Sequence, residues 1–177
     1  MGFTEKEKIE EFTRLRDVLD SIEIASEVLP KGELSEETTL LVCLPSAEKL
    51  PEEDEVKPED LHMAAGYLVD LDDAEQKLAK YLLFYSQIPV DLSAMKVESV
   101  LLMINELNKK VRVGHYFLSQ LEENGPYMVQ YRATVSGMCD LPFDEGVVAD
   151  TILEMGIAYD VAREAFTMAN EECKNRG

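Results

Sequence analysis

The chain has 177 residues, of which 46% are apolar, and this is enough to build the core of one domain spanning residues 1–177. Its 36 acidic and 17 basic residues leave a formal charge of −19, which repels nucleic acid phosphates and anionic lipid headgroups alike. We therefore expect neither a nucleic acid nor a membrane partner, and a protein partner with a neutral or basic binding segment. The same acidity also favours solubility, and both interpretations of it stay open.

The cysteines Cys43, Cys139 and Cys173 are odd in number and lack CxxC spacing, so neither a disulfide framework nor a zinc ribbon is predicted. The sequence has no N-terminal apolar signal segment and no apolar run near the ~20 residues that a membrane-spanning helix needs. A cytoplasmic location is the expectation that follows.

A first helix is predicted to begin at Thr4, which forms a capping-box pattern with Glu7. Apolar residues then recur at helical steps as far as Leu29, before Pro30 and Gly32 end the pattern. The stripe consists of Ile9, Phe12, Leu15, Val18, Leu19, Ile22 and Leu29. It does not distinguish packing on the chain's own sheet from packing at an interface with a second copy.

Two strands and an acidic loop are predicted next. Residues 38–44 form a short β-favouring run before Pro45, and residues 62–71 read as a second strand with Gly66 as a bulge or bend. Between them, residues 45–60 combine three prolines with many carboxylates, which favours a solvated loop.

Two helices are predicted in the middle of the chain. Asp72 and Glu75 form a capping pattern, and Leu78, Leu82 and Tyr85 follow at helical spacing up to Pro89. A second apolar stripe, from Val97 through Lys110, predicts the next helix.

The last part of the chain predicts an antiparallel hairpin and a long helix. Residues 111–121 and 127–135 are rich in β-branched and aromatic residues, and they flank an Asn124-Gly125 turn whose residues accept positive φ. Pro142 then introduces a helical pattern that extends to about Glu172. The predicted fold is α+β, with helices on one face of a twisted antiparallel sheet and the order α-β-β-α-α-β-β-α.

The sequence shows no catalytic, cofactor or metal site. His62 and His115 lack metal-ligand neighbours, and Cys139 beside Asp140 has no histidine nearby in sequence to activate it. The carboxylates at 52–55 and at 70–73 lack the spacing of a calcium loop, and no phosphate-binding glycine loop is present. We therefore predict that the protein is not an enzyme.

One local concentration of basic residues interrupts the acidic sequence, formed by Lys109, Lys110, Arg112 and Arg132. These residues either bind an acidic segment of a partner or have a structural role, as cations at the end of a helix followed by cross-strand charge pairs. The candidate protein-binding residues, taken from the third helix and the hairpin, are Val97, Leu101, Ile104, Tyr116, Leu118, Met128 and Arg132.

From Ile88 to Cys173 the sequence resembles the YbjN-like family, which has a type III secretion chaperone-like fold. The resemblance is carried by a helix ending at Asn108, a short basic link, a strand in which Gly114 precedes aromatic residues, and a strand carrying Arg132 before a long final helix. It implies a small acidic α+β domain that often forms a dimer, and it carries over no catalytic residue. The acidic insertion at 45–60 and the predicted helix around 74–86 depart from the small chaperones.

The leading hypothesis is a non-enzymatic protein-binding module, chaperone-like or adaptor and regulatory in role, with a homodimer among the expectations. One alternative is a small enzyme or metal-binding protein in which Cys139, His115 and the acidic loop meet only in three dimensions. Another is a structural or regulatory subunit encoded beside its partner. The sequence leaves open the partner's identity, the oligomeric state and any role in secretion.

Overall fold

The computed structural model describes residues 3–46, 61–69 and 78–175. The described helices are α1 (Glu5–Ser21), α2 (Val97–Asn108) and α3 (Glu145–Asn175). The described strands are β1 (Ser26–Leu29), β2 (Thr39–Cys43), β3 (Met63–Leu68), β4 (Ala79–Ile88), β5 (His115–Gln120) and β6 (Tyr127–Met138). Residues 47–60 of the predicted acidic loop and the predicted cap at Asp72 and Glu75 lie outside these ranges.

The six strands form one sheet in the order β1-β2-β3-β4-β6-β5, and every neighbouring pair is antiparallel. All three helices contribute side chains to one apolar core against the same face of this sheet. The predicted α+β class, with an antiparallel sheet and helices on one face, is confirmed.

The first helix packs on the chain's own sheet, which answers the question that its stripe left open. Its capping box forms as predicted between Thr4 and Glu7. Phe12, Leu15 and Leu19 are at most 1% exposed and join Leu40 and Val42 of β2 in the core.

The predicted end of the first helix at Leu29 is wrong. The helix ends at Ser21, and the backbone reverses at Glu23, whose φ is +64°. The N–H groups of Ile22 and Ile24 both donate to the carbonyl of Leu19, closing the helix end. Residues 26–29 can then pair with β2, and these ladder hydrogen bonds outweigh the continuation of a helical apolar pattern.

The helix predicted around Leu78, Leu82 and Tyr85 is also wrong, because residues 79–88 form the long central strand β4. Its alternate residues are buried against the helices, and they include the polar residues Lys80 and Ser86. Apolar residues also occupy the other face of β4, so the sequence lacks the alternation of apolar and polar residues that is typical of a strand. The strand forms because its backbone pairs with β3 on one side and β6 on the other. The observed order of described elements is therefore α-β-β-β-β-α-β-β-α.

Gly66 does not form the predicted bulge. The register of β3 is continuous on both sides, with Gly66 opposite Leu40 and opposite Phe84. A Cβ at this position would lie 2.7 Å from the Phe84 ring, so glycine is needed for the close approach of that ring.

The predicted third helix, hairpin and final helix are confirmed, with strands at 115–120 and 127–138. The expected positive φ at the Asn124-Gly125 turn is wrong: among the described residues only Glu23, Gly32 and Gly114 have positive φ. The chain reverses instead through a longer connection, in which the N–H of Gly125 donates to the carbonyl of Glu122 at 2.9 Å.

The hairpin is fixed to α2 by Asn108, the last residue of that helix. The Asn108 carboxamide accepts from the Tyr116 N–H at 2.7 Å and donates to the Tyr116 carbonyl at 3.0 Å. Gly114 precedes this contact with a φ of +75°, and a Cβ there would lie 2.3 Å from the Arg132 carbonyl. These contacts give a physical reason for the asparagine and the glycine at these two positions.

Buried charges on the helix side of the sheet are paired. Lys80 lies 3.9 Å from a Glu11 carboxylate oxygen and 4.5 Å from the centre of the Phe143 ring. Arg14 donates to Glu11, to Glu145 and to the Phe143 carbonyl, which joins α1 to the start of α3. Both of these cations therefore have the Glu11 carboxylate within 4 Å.

None of the three described helices combines the length and the apolar content that crossing a bilayer requires.

Candidate functional site on the open sheet face

The face of the sheet turned away from the helices is the most distinctive surface among the described residues. Residues on it alternate along each strand with those of the core, and none of its apolar side chains belongs to the core cluster. We call it the open face. Its apolar, aromatic and histidine side chains include Leu41, Cys43, Met63, Ala65, Tyr67, Tyr81, Leu83, Tyr85, His115, Phe117 and Met128, all of them half-buried.

The open face is almost uncharged, although 30% of the whole chain is charged. The strand register places only two ionised side chains on it among the described residues, Arg132 near one side and Glu27 on the opposite edge strand. The other polar groups are neutral, such as Gln87 and Gln130, which face each other across β4 and β6. A depletion of charge with enriched tyrosine and arginine is typical of the centre of a protein interface.

Arg132 is the unusual residue of this face. It lies on β6 opposite Tyr85 of β4 and opposite His115 of β5. Its Nε is buried without a hydrogen-bond partner, and none of the described residues forms an ion pair with the guanidinium. By contrast, Arg14, Arg16 and Arg112 are each paired with a carboxylate. A half-buried guanidinium without a partner is a ready binding group for a carboxylate.

The Arg132 cation affects the pKa of His115. Burial lowers the pKa of His115, and the positive charge of Arg132 lowers it further. The imidazole is therefore held neutral beside the guanidinium at neutral pH. Its ring lies 6.0 Å from Phe117, and the rings of Tyr67 and Tyr85 lie 6.4 Å apart, so aromatic pairs cover both halves of the face.

Chemically, this arrangement can bury apolar side chains of another molecule and pair one carboxylate with Arg132. It offers hydroxyl and amide groups for orientation, and it presents neither a nucleophile with its base nor a metal-ligand set. Among the described residues, no group of three His, Cys, Asp or Glu side chains could hold a metal ion.

The predicted binding residues fall in four places rather than one. Met128 and Arg132 lie on the open face, and Leu101 is 48% exposed on α2. Ile104 and Tyr116 are only 6% and 2% exposed, so they belong to the core on the helix side. The last two, Val97 and Leu118, lie together in a cavity of about 330 Å³ between α2 and the hairpin.

His115 and Cys139, the two described side chains of the enzyme alternative, do not meet. His115 lies opposite Arg132, whereas Cys139 lies seven positions beyond Arg132, roughly 23 Å away at the usual strand rise. His62 stacks on Tyr159 at 4.2 Å on the helix side, far from His115 in the strand order. Residues 47–60 of the acidic loop lie outside the described ranges.

Sequence reasoning missed the centre of the open face. Tyr81, Leu83 and Tyr85 were assigned to a helix, although they share one side of β4. The available signal was the run of β-favouring residues from Tyr81 to Tyr85, since tyrosine and phenylalanine are enriched in strands.

The basic concentration of the sequence is divided by the fold. Arg132 lies on the open face, while Lys109 pairs with Glu106 and Arg112 pairs with Glu154 on the helix side. The predicted helix end with cations describes Lys109, which directly follows α2. The predicted cross-strand charge pairs are wrong for the described residues, because Arg112 pairs with Glu154 of α3 and Arg132 lies opposite Tyr85 and His115.

No family model matches the sequence, and no curated protein matches it significantly. A solved structure described as "Crystal structure of YbjN, a putative transcription regulator from E. coli" is similar to this chain, with 15% identity and a TM-score of 0.47. The match covers 86% of this chain and 91% of that one. At 15% identity, no residue role passes from that protein to this chain.

Proposed function

We propose that the protein is a non-enzymatic protein-binding module, with a chaperone-like or adaptor and regulatory role, and that the open face receives the partner. A cytoplasmic location belongs to the same proposal. The observation that carries it is Arg132, which has no partner among the described residues and lies at the side of an aromatic, nearly uncharged surface in a chain of net charge −19.

The occupant that fits is a protein segment with apolar side chains on one side and one carboxylate opposite Arg132. Burial of apolar area supplies the driving force, at about 25 cal/mol per Å² removed from water. The remainder of the segment is neutral or basic, because the rest of the chain is strongly acidic and repels further carboxylates.

Selection of displayed random peptides on the intact protein tests this proposal. We expect the selected peptides to be apolar with one acidic residue, and otherwise neutral or basic. Arg132→Glu should weaken their binding at least about tenfold, as expected for a desolvated charge pair. Replacing the peptide's acidic residue by lysine should restore binding to this variant.

The matched control is Arg16→Glu, which makes the same charge change on α1, where Arg16 pairs with Asp17. A second pair of variants compares Tyr85→Ser on the open face with Tyr127→Ser. Tyr127 lies at the start of β6 and is 42% exposed. Equal losses in Arg132→Glu and Arg16→Glu, or no loss in Tyr85→Ser, would show that the open face is not the binding surface.

A further inference from the structure

A second, independent feature lies on the helix side of the sheet, in a cavity of about 170 Å³ between the end of α2 and the middle of α3. Its walls are apolar, with Leu107, Val111, Ile157, Ala158 and Val161. Tyr116 and Tyr131 close it on the sheet side, and their rings pack edge to face at 4.8 Å. We call it the α2–α3 cavity.

The two tyrosines differ in their hydroxyl groups. Tyr116 donates to the Ala158 carbonyl at 2.5 Å, so its donor is used within the fold. Tyr131 is only 2% exposed, yet none of the described residues forms a hydrogen bond with its hydroxyl. The Tyr131 hydroxyl is not among the buried polar atoms that lack a partner, so it reaches solvent at the cavity wall and is free of the described side chains to donate to a ligand there.

The mouth of the cavity carries a local excess of positive charge. Lys110 and Arg112 line it together with Glu154, and Arg112 lies 3.2 Å from the Glu154 carboxylate. The Arg112 side chain is 81% exposed, so it can turn from Glu154 toward an incoming anion. Burial and then the Glu154 charge raise the pKa of Tyr131 to about 12, which keeps this hydroxyl protonated as a donor at neutral pH.

We propose that the α2–α3 cavity binds a small aryl carboxylate, whose ring lies against the apolar walls while its carboxylate meets Arg112, Lys110 and the Tyr131 hydroxyl. The size fits, since an apolar cavity of roughly 150 Å³ accommodates benzene. The charge fits as well, because two cations and one carboxylate leave a net of +1 at the mouth. This site is separate from the open face, so the outcome of its test does not depend on the protein-binding proposal.

Titration of the full chain with benzoate, followed by amide NMR shifts, tests the proposal. We expect saturable shifts around Val111, Ile157 and Val161. Benzyl alcohol, which lacks the charge, and acetate, which lacks the ring, should each bind at least about tenfold more weakly, because each loses one of the two groups of contacts.

Variants separate a built site from nonspecific binding. Tyr131→Phe, which breaks no hydrogen bond between described residues, should weaken benzoate binding roughly three- to tenfold, the usual effect of one hydrogen bond. Arg112→Gln should weaken benzoate but leave benzyl alcohol unchanged, while the controls Tyr127→Phe and Arg16→Gln should change neither. Non-saturable shifts, equal affinity for acetate and benzoate, or full benzoate binding by both Tyr131→Phe and Arg112→Gln would overturn the proposal.

Discussion

The two faces of the sheet are built from alternate residues of the same strands, yet they differ in whether their cations are paired with carboxylates. On the helix side, Lys80 and Arg14 are paired with Glu11, and they stabilise the junction of α1 and α3. On the open face, Arg132 has no partner among the described residues. The core thus pairs these two cations with a carboxylate, whereas the open face leaves Arg132 without a partner among the described residues.

The largest expected difference between the faces concerns neighbouring aromatic residues of β4. Phe84 is fully buried over Gly66, whereas Tyr85 is half-buried on the open face. Phe84→Ala should lower the free energy of unfolding by about 3–5 kcal/mol, because it leaves a cavity in the core. Tyr85→Ala should cost less than about 1.5 kcal/mol. Urea unfolding of both variants measures this, and equal losses would show that the open face is part of the folding core.

A smaller effect is expected at the paired charges of the helix side. Burial acts to raise the pKa of Glu11, but hydrogen bonds from Arg14 and the Phe143 N–H, with the charges of Arg14 and Lys80, outweigh it and lower the pKa. Glu11→Gln should therefore cost about 1.5–3 kcal/mol at neutral pH, as for hydrogen bonds to a charged group.

The sign of its pH dependence follows from this lowered pKa. As the pH falls, Glu11 takes up a proton in the unfolded chain before it does so in the folded protein. The contribution of the Glu11 carboxylate to the free energy of unfolding is therefore complete above its ordinary pKa of 4.5, and it is lost as the pH falls through the lower pKa of the folded protein. Urea unfolding between neutral and acid pH should show a shallower acid loss in Glu11→Gln than in the parent. Glu10→Gln is the control, because its pair with Lys6 is exposed at 3.6 Å and should contribute less than about 1 kcal/mol. Parallel acid profiles for Glu11→Gln and the parent would contradict this assignment.

The smallest effect is expected at Arg132 itself. Arg132→Met should change the free energy of unfolding by less than about 0.5 kcal/mol, since no described ion pair is lost. The pKa of His115 should rise in this variant, yet stay below 6.5, because burial is the larger cause of its lowering. NMR titration of His115 measures the shift, with Arg112→Met on the helix side as the control. An unchanged pKa in Arg132→Met would mean that the guanidinium does not act on the imidazole.

Local signals in the sequence predicted several elements correctly. The Thr4 and Glu7 capping box, the stripe beginning at Val97 and the hairpin strands around residue 125 are decided by neighbours in sequence, so their residue patterns suffice. The α+β class with an antiparallel sheet follows from the same patterns. The segments at 24–29 and 79–88 were misassigned, because their apolar spacing suits a helix as well as a strand.

The candidate site was predictable only in part, for the same reason. Arg132 and Met128 were identified within the hairpin, but Ile104 and Tyr116 proved to be core, and Val97 and Leu118 line a separate cavity. The side on which a strand residue lies depends on register and on where the helices pack, and neither is encoded locally.

The acidity, the absence of a recognisable catalytic motif and the presence of the hairpin follow from the order of residues alone. Tertiary packing sets which side of the sheet the helices cover. It also places Tyr85 opposite Arg132 and leaves that cation without a carboxylate among the described residues. The physical reason is that strand pairing joins residues distant in sequence through backbone hydrogen bonds. A surface formed across β3, β4, β6 and β5 therefore exists only after those pairings are made.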